Sequence, residues 1–198
     1  MPRGKRYDRA YFDHWYRTRR IGRPSDLARS VAFAVAITEQ LLGRPLRSVL
    51  DVGAGEGRWQ PVLHRLRPDA RYAGVDASRW AVERWGRRRN LRLGSIDALD
   101  ELGLDPPFDL VVAADMLHYL PRQTLRAGLA QLAPLVGGVA FLPTFTSQDE
   151  IEGDRAEFQR RSAATYRALF QEAGLVPLGM HAWTIAAGRS GLAQLERP

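Results

Sequence analysis

"VLDVGAGEG", residues 49–57, joins an apolar run to an aspartate and three glycines at alternate positions. A short apolar run with β-branched residues is typical of a buried strand, and the glycines predict a loop directly after it. A loop almost without side chains lets a ligand approach the backbone N–H groups closely. The stretch therefore predicts a ligand site at the end of a buried strand.

Strand and helix patterns alternate on both sides of this stretch. Short apolar runs predict seven strands, at residues 46–52, 71–77, 91–96, 108–117, 139–146, 175–181 and 183–187. Helical spacing of apolar residues predicts helices, with Ser25 and Ser78 as expected N-caps, at residues 25–43, 59–66, 78–87, 121–135 and 154–174. Strands separated by helix-length segments indicate parallel βαβ units. We therefore expect an α/β fold, a doubly wound sheet with helices on both faces.

The composition is that of an ordinary globular protein. The 198 residues suit one domain, and 45% of them are hydrophobic. The absence of cysteine excludes disulfides, thiolate metal sites and a cysteine nucleophile. No apolar run reaches the roughly 20 residues of a membrane-spanning helix, and the N-terminus lacks the apolar stretch of a secretory signal. We expect a cytoplasmic protein with no membrane partner.

The net charge of +7 is concentrated at the N-terminus, because residues 1–29 hold nine basic residues and three acidic ones. A basic arm of this kind can face solvent, a substrate or a nucleic acid. Lys5 is the only lysine among the 29 basic residues, and such an arginine bias indicates GC-rich codon usage, as in many bacterial genomes, more than selection for phosphate contacts. Nucleic-acid binding through the arm is therefore the less favoured prediction.

Two classes of ligand compete for the glycine loop. The dinucleotide fingerprint is G-x-G-x-x-G, and the helix after it receives a pyrophosphate. Here the spacing is G-x-G-x-G, and the preceding strand contains Asp51, whose charge would repel a pyrophosphate but attract an ammonium group. A nucleoside with an amino-acid tail therefore fits the loop better than a dinucleotide.

The next two strands supply the rest of an adenosine site. Asp76 ends the strand at 71–77, where a carboxylate can accept hydrogen bonds from both ribose hydroxyls. After the third strand, Ile96 offers an apolar face for a purine and Asp97 can accept from an exocyclic amine. Each signal is weak alone, but their order on successive strand ends is specific.

These motifs, together with "FDLVVAADMLHYLP" at residues 108–121, resemble those of the class I S-adenosylmethionine-dependent methyltransferases over residues 46–186. The resemblance implies a Rossmann-like, mostly parallel seven-stranded sheet with an antiparallel last strand. It also implies S-adenosylmethionine as the cofactor, S-adenosylhomocysteine as the product, and no metal. The cofactor-binding residues that we predict are Asp51, Gly53, Ala54, Gly55, Gly57, Asp76, Ala77, Ser78, Ile96, Asp97, Ala114, Asp115 and Tyr16.

Missing motifs narrow the methyl acceptor. Without cysteine the chain cannot methylate cytosine C5 through a covalent thiolate. The fourth strand ends in "AADMLHYL", not in the Asn/Asp-Pro-Pro-Tyr/Phe loop of enzymes that methylate exocyclic amines of bases or glutamine amides. We therefore expect in-line transfer to an oxygen or nitrogen of a small molecule. Monomer and homodimer both remain possible.

Catalytic candidates follow the fourth strand and lie in the arm. His118 and Tyr119 come where the methyl group should point, and His118 is interpreted either as a general base or as part of the site wall. His14 is a third candidate. The substrate-binding residues that we predict are aromatic: Tyr11, Trp15, Tyr119 and Phe145.

The chain divides into an arm and a core. Residues 1–44 are predicted to be a helical arm that folds over the donor as a lid, although its aromatic residues can equally dock a helix onto the core. Residues 45–198 are predicted to form the methyltransferase core, with a possible substrate insert at 143–160. The arm and the insert at 143–160 show the weakest sequence patterns, so we expect these two segments to select the substrate.

Three other functions remain open from the sequence. An NAD-linked oxidoreductase on a similar sheet is disfavoured by Asp51 and the glycine spacing. Aminopropyl transfer would require an acidic cluster after the fourth strand, which the sequence does not display. A non-catalytic module that only binds S-adenosylmethionine would have the donor site but no room for an acceptor.

Overall fold

The computed structural model describes residues 5–151 and 153–186. Its centre is a seven-stranded sheet in the order β3-β2-β1-β4-β5-β7-β6. The strands are β1 Ser48–Val52, β2 Arg71–Asp76, β3 Leu91–Leu93, β4 Phe108–Val112, β5 Val136–Phe141, β6 Leu175–Gly179 and β7 Ala182–Ile185. Strand β7 runs antiparallel to both its neighbours, β5 and β6, and the pairs among β1 to β5 are parallel. The predicted Rossmann-like sheet is confirmed.

Helices cover both faces of the sheet. The α-helices are α1 Arg9–Phe12, α2 Pro24–Leu42, α3 Trp59–Leu66, α4 Arg79–Arg89, α5 Arg122–Leu132 and α6 Ala163–Glu172. A π-helical segment, Asp13–Thr18, follows α1, and 3-10 turns lie at Ile96–Leu102, Leu117–Tyr119 and Ala133–Leu135. Within the residues described, no helix is both long enough and apolar enough to span a bilayer.

The hydrophobic core has two parts, one on each face of the sheet. In β1, Leu50 packs with residues of α5 and α6 on one face, and Val49 packs with α2 and α3 on the other. All five residues of β1 are buried, which explains why this strand is apolar apart from Ser48 and Asp51.

Several predicted boundaries are wrong. Helix α2 begins at Pro24 after Arg23, so Ser25 is not its N-cap, whereas Ser78 does cap α4 by accepting from the N–H of Ala81. The helix predicted over 154–174 forms only at α6, and residues 154–162 are irregular. Some predicted segments extend outside the described residues. These are residues 1–4 of the arm, residue 152 of the insert and residues 187–198 of the core, of which residue 187 ends the last predicted strand.

Strand order reverses between β1 and β4, because the chain goes from β1 to β2 and β3 on one side and then returns to β4 on the other. At such a switch point the loops after the two strands diverge and leave a crevice at the carboxyl ends. The loops after β1, β2 and β4 carry the predicted site residues.

Candidate active site

A cavity of about 790 Å³ opens at the carboxyl ends of β1, β2 and β4. It brings together most of the predicted site residues, although they are far apart in the sequence. The predicted residues that line it are Tyr11, Trp15, Tyr16, Asp51, Gly53, Ala54, Gly55, Asp76, Ala77, Ile96, Ala114, Asp115, His118, Tyr119 and Phe145.

Four predicted residues do not line this cavity. His14 is exposed on the arm, and Gly57 donates its N–H to the carbonyl of Ala54, next to Leu91. The Ser78 hydroxyl donates to the carbonyl of Tyr7 while it caps α4. Asp97 is exposed and its carboxylate accepts from the Ser95 hydroxyl. Their proposed roles in binding stay predictions.

Asp51 is a buried carboxyl group next to the glycine loop. It is 2% exposed, and its Oδ2 accepts a hydrogen bond of 2.6 Å from the Tyr72 hydroxyl. Burial raises the pKa of Asp51 to about 7, the tyrosine hydrogen bond opposes that rise, and the charge of Asp76 adds to it. An incoming ammonium group would supply the counter-charge that Asp51 lacks.

Asp76 holds the loop that contains Gly55. Its two carboxylate oxygens accept from the N–H groups of Gly55, at 2.6 Å, and Ser78, at 2.7 Å. Burial raises the pKa of Asp76 despite these two hydrogen bonds. A carboxylate oxygen has two acceptor positions, so each oxygen can still accept one hydroxyl from a diol.

The glycine loop is shaped by its neighbours in the fold. Gly53 has a φ of +73°, and an added Cβ would lie 2.7 Å from the Met116 side chain. Gly55 has a φ of +55°, and an added Cβ would lie 3.3 Å from the Phe12 ring. The arm therefore packs directly on the loop.

These groups fit S-adenosylmethionine. The buried Asp51 can pair with the methionine ammonium, Asp76 can accept from the ribose hydroxyls, and Ile96 provides an apolar wall. The observation that carries the fit is that Asp51 is a buried carboxyl group without a cationic partner among the described residues.

His118 is packed among aromatic rings at the end of the cavity. Its ring centroid lies 4.3 Å from that of Tyr119, 5.2 Å from that of Phe145 and 5.4 Å from that of Phe158. Its buried Nδ1 has no hydrogen-bond partner within the described part of the chain. Burial, and to a smaller extent the charge of Lys5, lower the pKa of His118 to about 4. The imidazole is therefore neutral at neutral pH.

Asp115 lines the cavity and adopts a φ of +56°. It is exposed to solvent inside the cavity, yet the enclosing walls raise the pKa of its carboxyl to about 6 by desolvation. This carboxyl group can change its protonation state close to neutral pH.

The arm is fixed to the core beside the glycine loop. Arg17 donates to the Glu56 carboxylate at 2.8 Å, and Arg58 donates to the carbonyl of Gly22 at 2.5 Å. The ring of Phe12 stacks on Trp80 with centroids 5.0 Å apart. These contacts place α1 and the π-helical segment over the cavity.

The lining of the cavity is acidic, although the chain is basic. Among the described residues that line it, Arg58 supplies the one Lys or Arg side chain. Seven carboxyl side chains line it: Asp26, Asp51, Glu56, Asp76, Asp115, Asp154 and Glu157. Asp154 and Glu157 were missed by the sequence analysis because they lie in an irregular segment without a motif. Asp26, Glu56 and Asp154 already pair with Arg29, Arg17 and Lys5. The carboxyl groups of Asp51, Asp76, Asp115 and Glu157 therefore give the cavity its preference for positively charged ligands.

The comparisons with known proteins agree with this geometry. A family model described as a methyltransferase domain matches residues 19–179. The chain belongs to this family, the class I S-adenosylmethionine-dependent methyltransferases, and S-adenosylmethionine is the family's cofactor. No curated protein sequence matches the chain.

Several solved structures share the fold. The sugar N-methyltransferase KedS8 from Streptoalloteichus has a TM-score of 0.65 and 20% identity, over 84% of this chain and 85% of that one. DesVI from Streptomyces venezuelae has a TM-score of 0.64 and 18% identity, over 84% of this chain and 89% of that one. The 1,6-didemethyltoxoflavin-N1-methyltransferase from Burkholderia thailandensis, solved with S-adenosylhomocysteine bound, has a TM-score of 0.54 and 23% identity. The match covers 84% of this chain and 77% of that one.

Proposed function

We propose that this chain transfers the methyl group of S-adenosylmethionine to a nitrogen or oxygen of a small molecule. The observation that carries the proposal is the convergence of Asp51, Asp76 and the glycine loop in one cavity that the arm covers. A covered cavity of about 790 Å³ favours an acceptor that enters it whole over an extended macromolecule. KedS8 and the toxoflavin enzyme, which share the fold, are named for small-molecule N-methylation.

The chemistry asks little of the protein. When bound, S-adenosylmethionine supplies a methyl group on a positively charged sulfur, which an in-line nucleophile takes while the sulfur leaves as a neutral thioether. The chain's residues hold the acceptor in line and exclude water. The roles that we assign to the arm, residues 1–44, as a lid and to residues 143–160 as a substrate segment are part of this proposal. Both contribute aromatic and acidic groups to the cavity.

A proton acceptor is needed only if the nucleophile carries a proton. A general base works best when its pKa is close to the working pH. His118, with a pKa of about 4, is a poor base at neutral pH, whereas Asp115, with a pKa of about 6, is better placed. We therefore assign His118 to the wall of the acceptor site and Asp115 to proton uptake.

Calorimetry with S-adenosylhomocysteine tests the donor site. We expect Asp76→Ala to weaken binding by about 30- to 100-fold, because charge-assisted hydrogen bonds to the ribose, worth about 2–3 kcal/mol, are lost. Asp69→Ala, at an exposed turn outside the cavity, is the matched control and should bind normally. If the intact protein does not bind S-adenosylhomocysteine, or if NADH displaces it, the proposal fails.

A further inference from the structure

Lys5, the sole lysine of the printed sequence, places its ammonium group inside a cluster of tyrosine rings. Its Nζ lies 3.7 Å from the ring centroid of Tyr119, 5.0 Å from that of Tyr7 and 5.2 Å from that of Tyr11. The side chain is 6% exposed, and Nζ is 2.6 Å from Oδ2 of Asp154. We call Tyr7, Tyr11, Tyr119 and Asp154 the tyrosine cage. All three distances are within the range of cation–π interactions.

The cage is built from both sides of the cavity, and it does not depend on Lys5 alone. The Tyr119 hydroxyl donates to the Asp154 carbonyl at 2.8 Å, which joins the 3-10 turn after β4 to the insert. The Tyr7 carbonyl accepts from the Ser78 hydroxyl, and the rings of Tyr7 and Tyr11 pack edge to face at 5.0 Å. An ammonium group of another molecule would therefore find the same rings in place.

Lys5 is a poorly satisfied occupant of the cage. Among the described residues, the Asp154 carboxylate is the one polar group that its buried Nζ contacts, so this contact can replace water at only part of the three N–H donors. The backbone N–H of Lys5 also donates to the Glu157 carboxylate at 2.9 Å. A ligand that brings a better-fitting cation can displace it.

The cage is continuous with the candidate active site. Its four residues line the same cavity as Asp51 and Asp76, and Tyr119 follows His118 directly. The charge of Lys5 is close enough to lower the pKa of His118. Asp115, Asp154 and Glu157 leave this end of the cavity acidic after Asp51 and Asp76 are assigned to the donor.

We propose that the tyrosine cage is the subsite for an alkylammonium group of the methyl acceptor, and that Lys5 occupies this subsite until the acceptor displaces it. Calling the ligand the acceptor rests on the proposed function. The preference of the cage for an alkylammonium group rests on its geometry and charge alone. Neutral or anionic acceptors would leave Asp154 unpaired in a buried position.

The lone lysine makes occupancy of the cage directly measurable. Protein labelled with ¹³C-lysine gives one Hε–Cε signal, which we expect at an upfield position because of the tyrosine ring currents. Choline is the cationic probe, and 3,3-dimethylbutan-1-ol is its uncharged isostere. Titration with choline should move the signal to the position of a solvated lysine, and the isostere should act at least tenfold more weakly.

Variants separate the cage from general charge effects, and ligand-observed NMR reports choline binding where the lysine is removed. Lys5→Met should tighten choline binding several-fold because the competing ammonium is gone. Arg6→Met removes the same charge from an exposed neighbouring position and should leave choline affinity unchanged. Tyr119→Leu should abolish the preference for choline over the isostere, with the circular dichroism spectrum checking that the variant is folded.

The outcomes distinguish this proposal from the proposed function. If choline and its isostere move the Lys5 signal equally, or if neither moves it, the alkylammonium subsite is overturned even where S-adenosylhomocysteine binds. If choline displaces Lys5 but S-adenosylhomocysteine does not bind, the cage stands as a site for organic cations and the methyltransferase proposal falls.

Discussion

At the scale of single residues, Asp51 couples the donor site to pH. Its pKa of about 7 means that it is mostly protonated at pH 6 and mostly ionised at pH 8. Only the ionised form attracts an ammonium group. The affinity for S-adenosylhomocysteine should therefore rise roughly tenfold from pH 6 to pH 8, because the cost of removing the Asp51 proton disappears over that interval.

Calorimetry at several pH values checks this prediction. Asp51→Asn should bind weakly and without the pH dependence, whereas Asp115→Asn should retain it. An unchanged pH dependence of affinity in Asp51→Asn would contradict the assignment.

The stability of the unliganded protein should change with pH in the opposite sense. Because folding raises the pKa of Asp51 from 3.8 to about 7, its contribution to the free energy of unfolding falls as pH rises between these values.

At the scale of elements, helix α5 sets the position of the apolar wall. Gly128 is buried in α5, and an added Cβ would lie 2.7 Å from Cγ2 of Ile96, which is itself 2% exposed. Gly128→Ala gains up to about 1 kcal/mol of helix propensity but overpacks this contact by about 1–3 kcal/mol. We expect lower thermal stability and weaker S-adenosylhomocysteine binding.

A double-mutant cycle isolates the contact between α5 and Ile96. Ile96→Ala should cost less free energy of unfolding in the Gly128→Ala background than in the wild type, because the smaller side chain relieves the overlap. Additive effects, measured by denaturant unfolding, would contradict the predicted coupling of these two residues.

The elements also show what sequence patterns can and cannot predict. The strand ends that carry Asp51 and Asp76 follow from apolar runs, since parallel strands buried on both faces must be apolar. The irregular conformation of residues 154–162 cannot be predicted from such patterns. There the Gln159 N–H donates to the His118 carbonyl and the Arg161 guanidinium to the Leu120 carbonyl, so tertiary partners replace the helical hydrogen bonds expected from periodicity. Pattern analysis therefore could not identify Asp154 of the cage or the neighbouring Glu157 of the cavity lining.

At the scale of the whole molecule, the net charge of the chain is positive, whereas most charged side chains that line the cavity are acidic. The chain carries +7 overall, most of it in the first 29 residues, yet seven carboxyl side chains line the cavity. The arm thus brings aromatic rings to the cavity while Arg17 and most of its other basic side chains remain partly or fully exposed. Composition alone left nucleic-acid binding open as the less favoured prediction, whereas the fold gathers acidic side chains around the cavity.

The docked arm should behave as a local unit that can open without unfolding of the core. Phe12 is 2% exposed and holds the arm through its stacking on Trp80 and its contact with the loop at Gly55. Phe12→Ala should release the arm, because removing a buried aromatic ring costs about 3–5 kcal/mol and this loss destabilises the docked arm more than the core.

Trypsin digestion checks this prediction. Trypsin should cleave the variant at arm arginines such as Arg17 and Arg20 at least tenfold faster than the wild type and leave the core intact. In the wild type, S-adenosylhomocysteine should slow the cleavage. Leu66→Ala, an exposed apolar position outside the cavity, is the control. Equal cleavage rates in Phe12→Ala and the wild type would mean that the arm is held by contacts other than this ring.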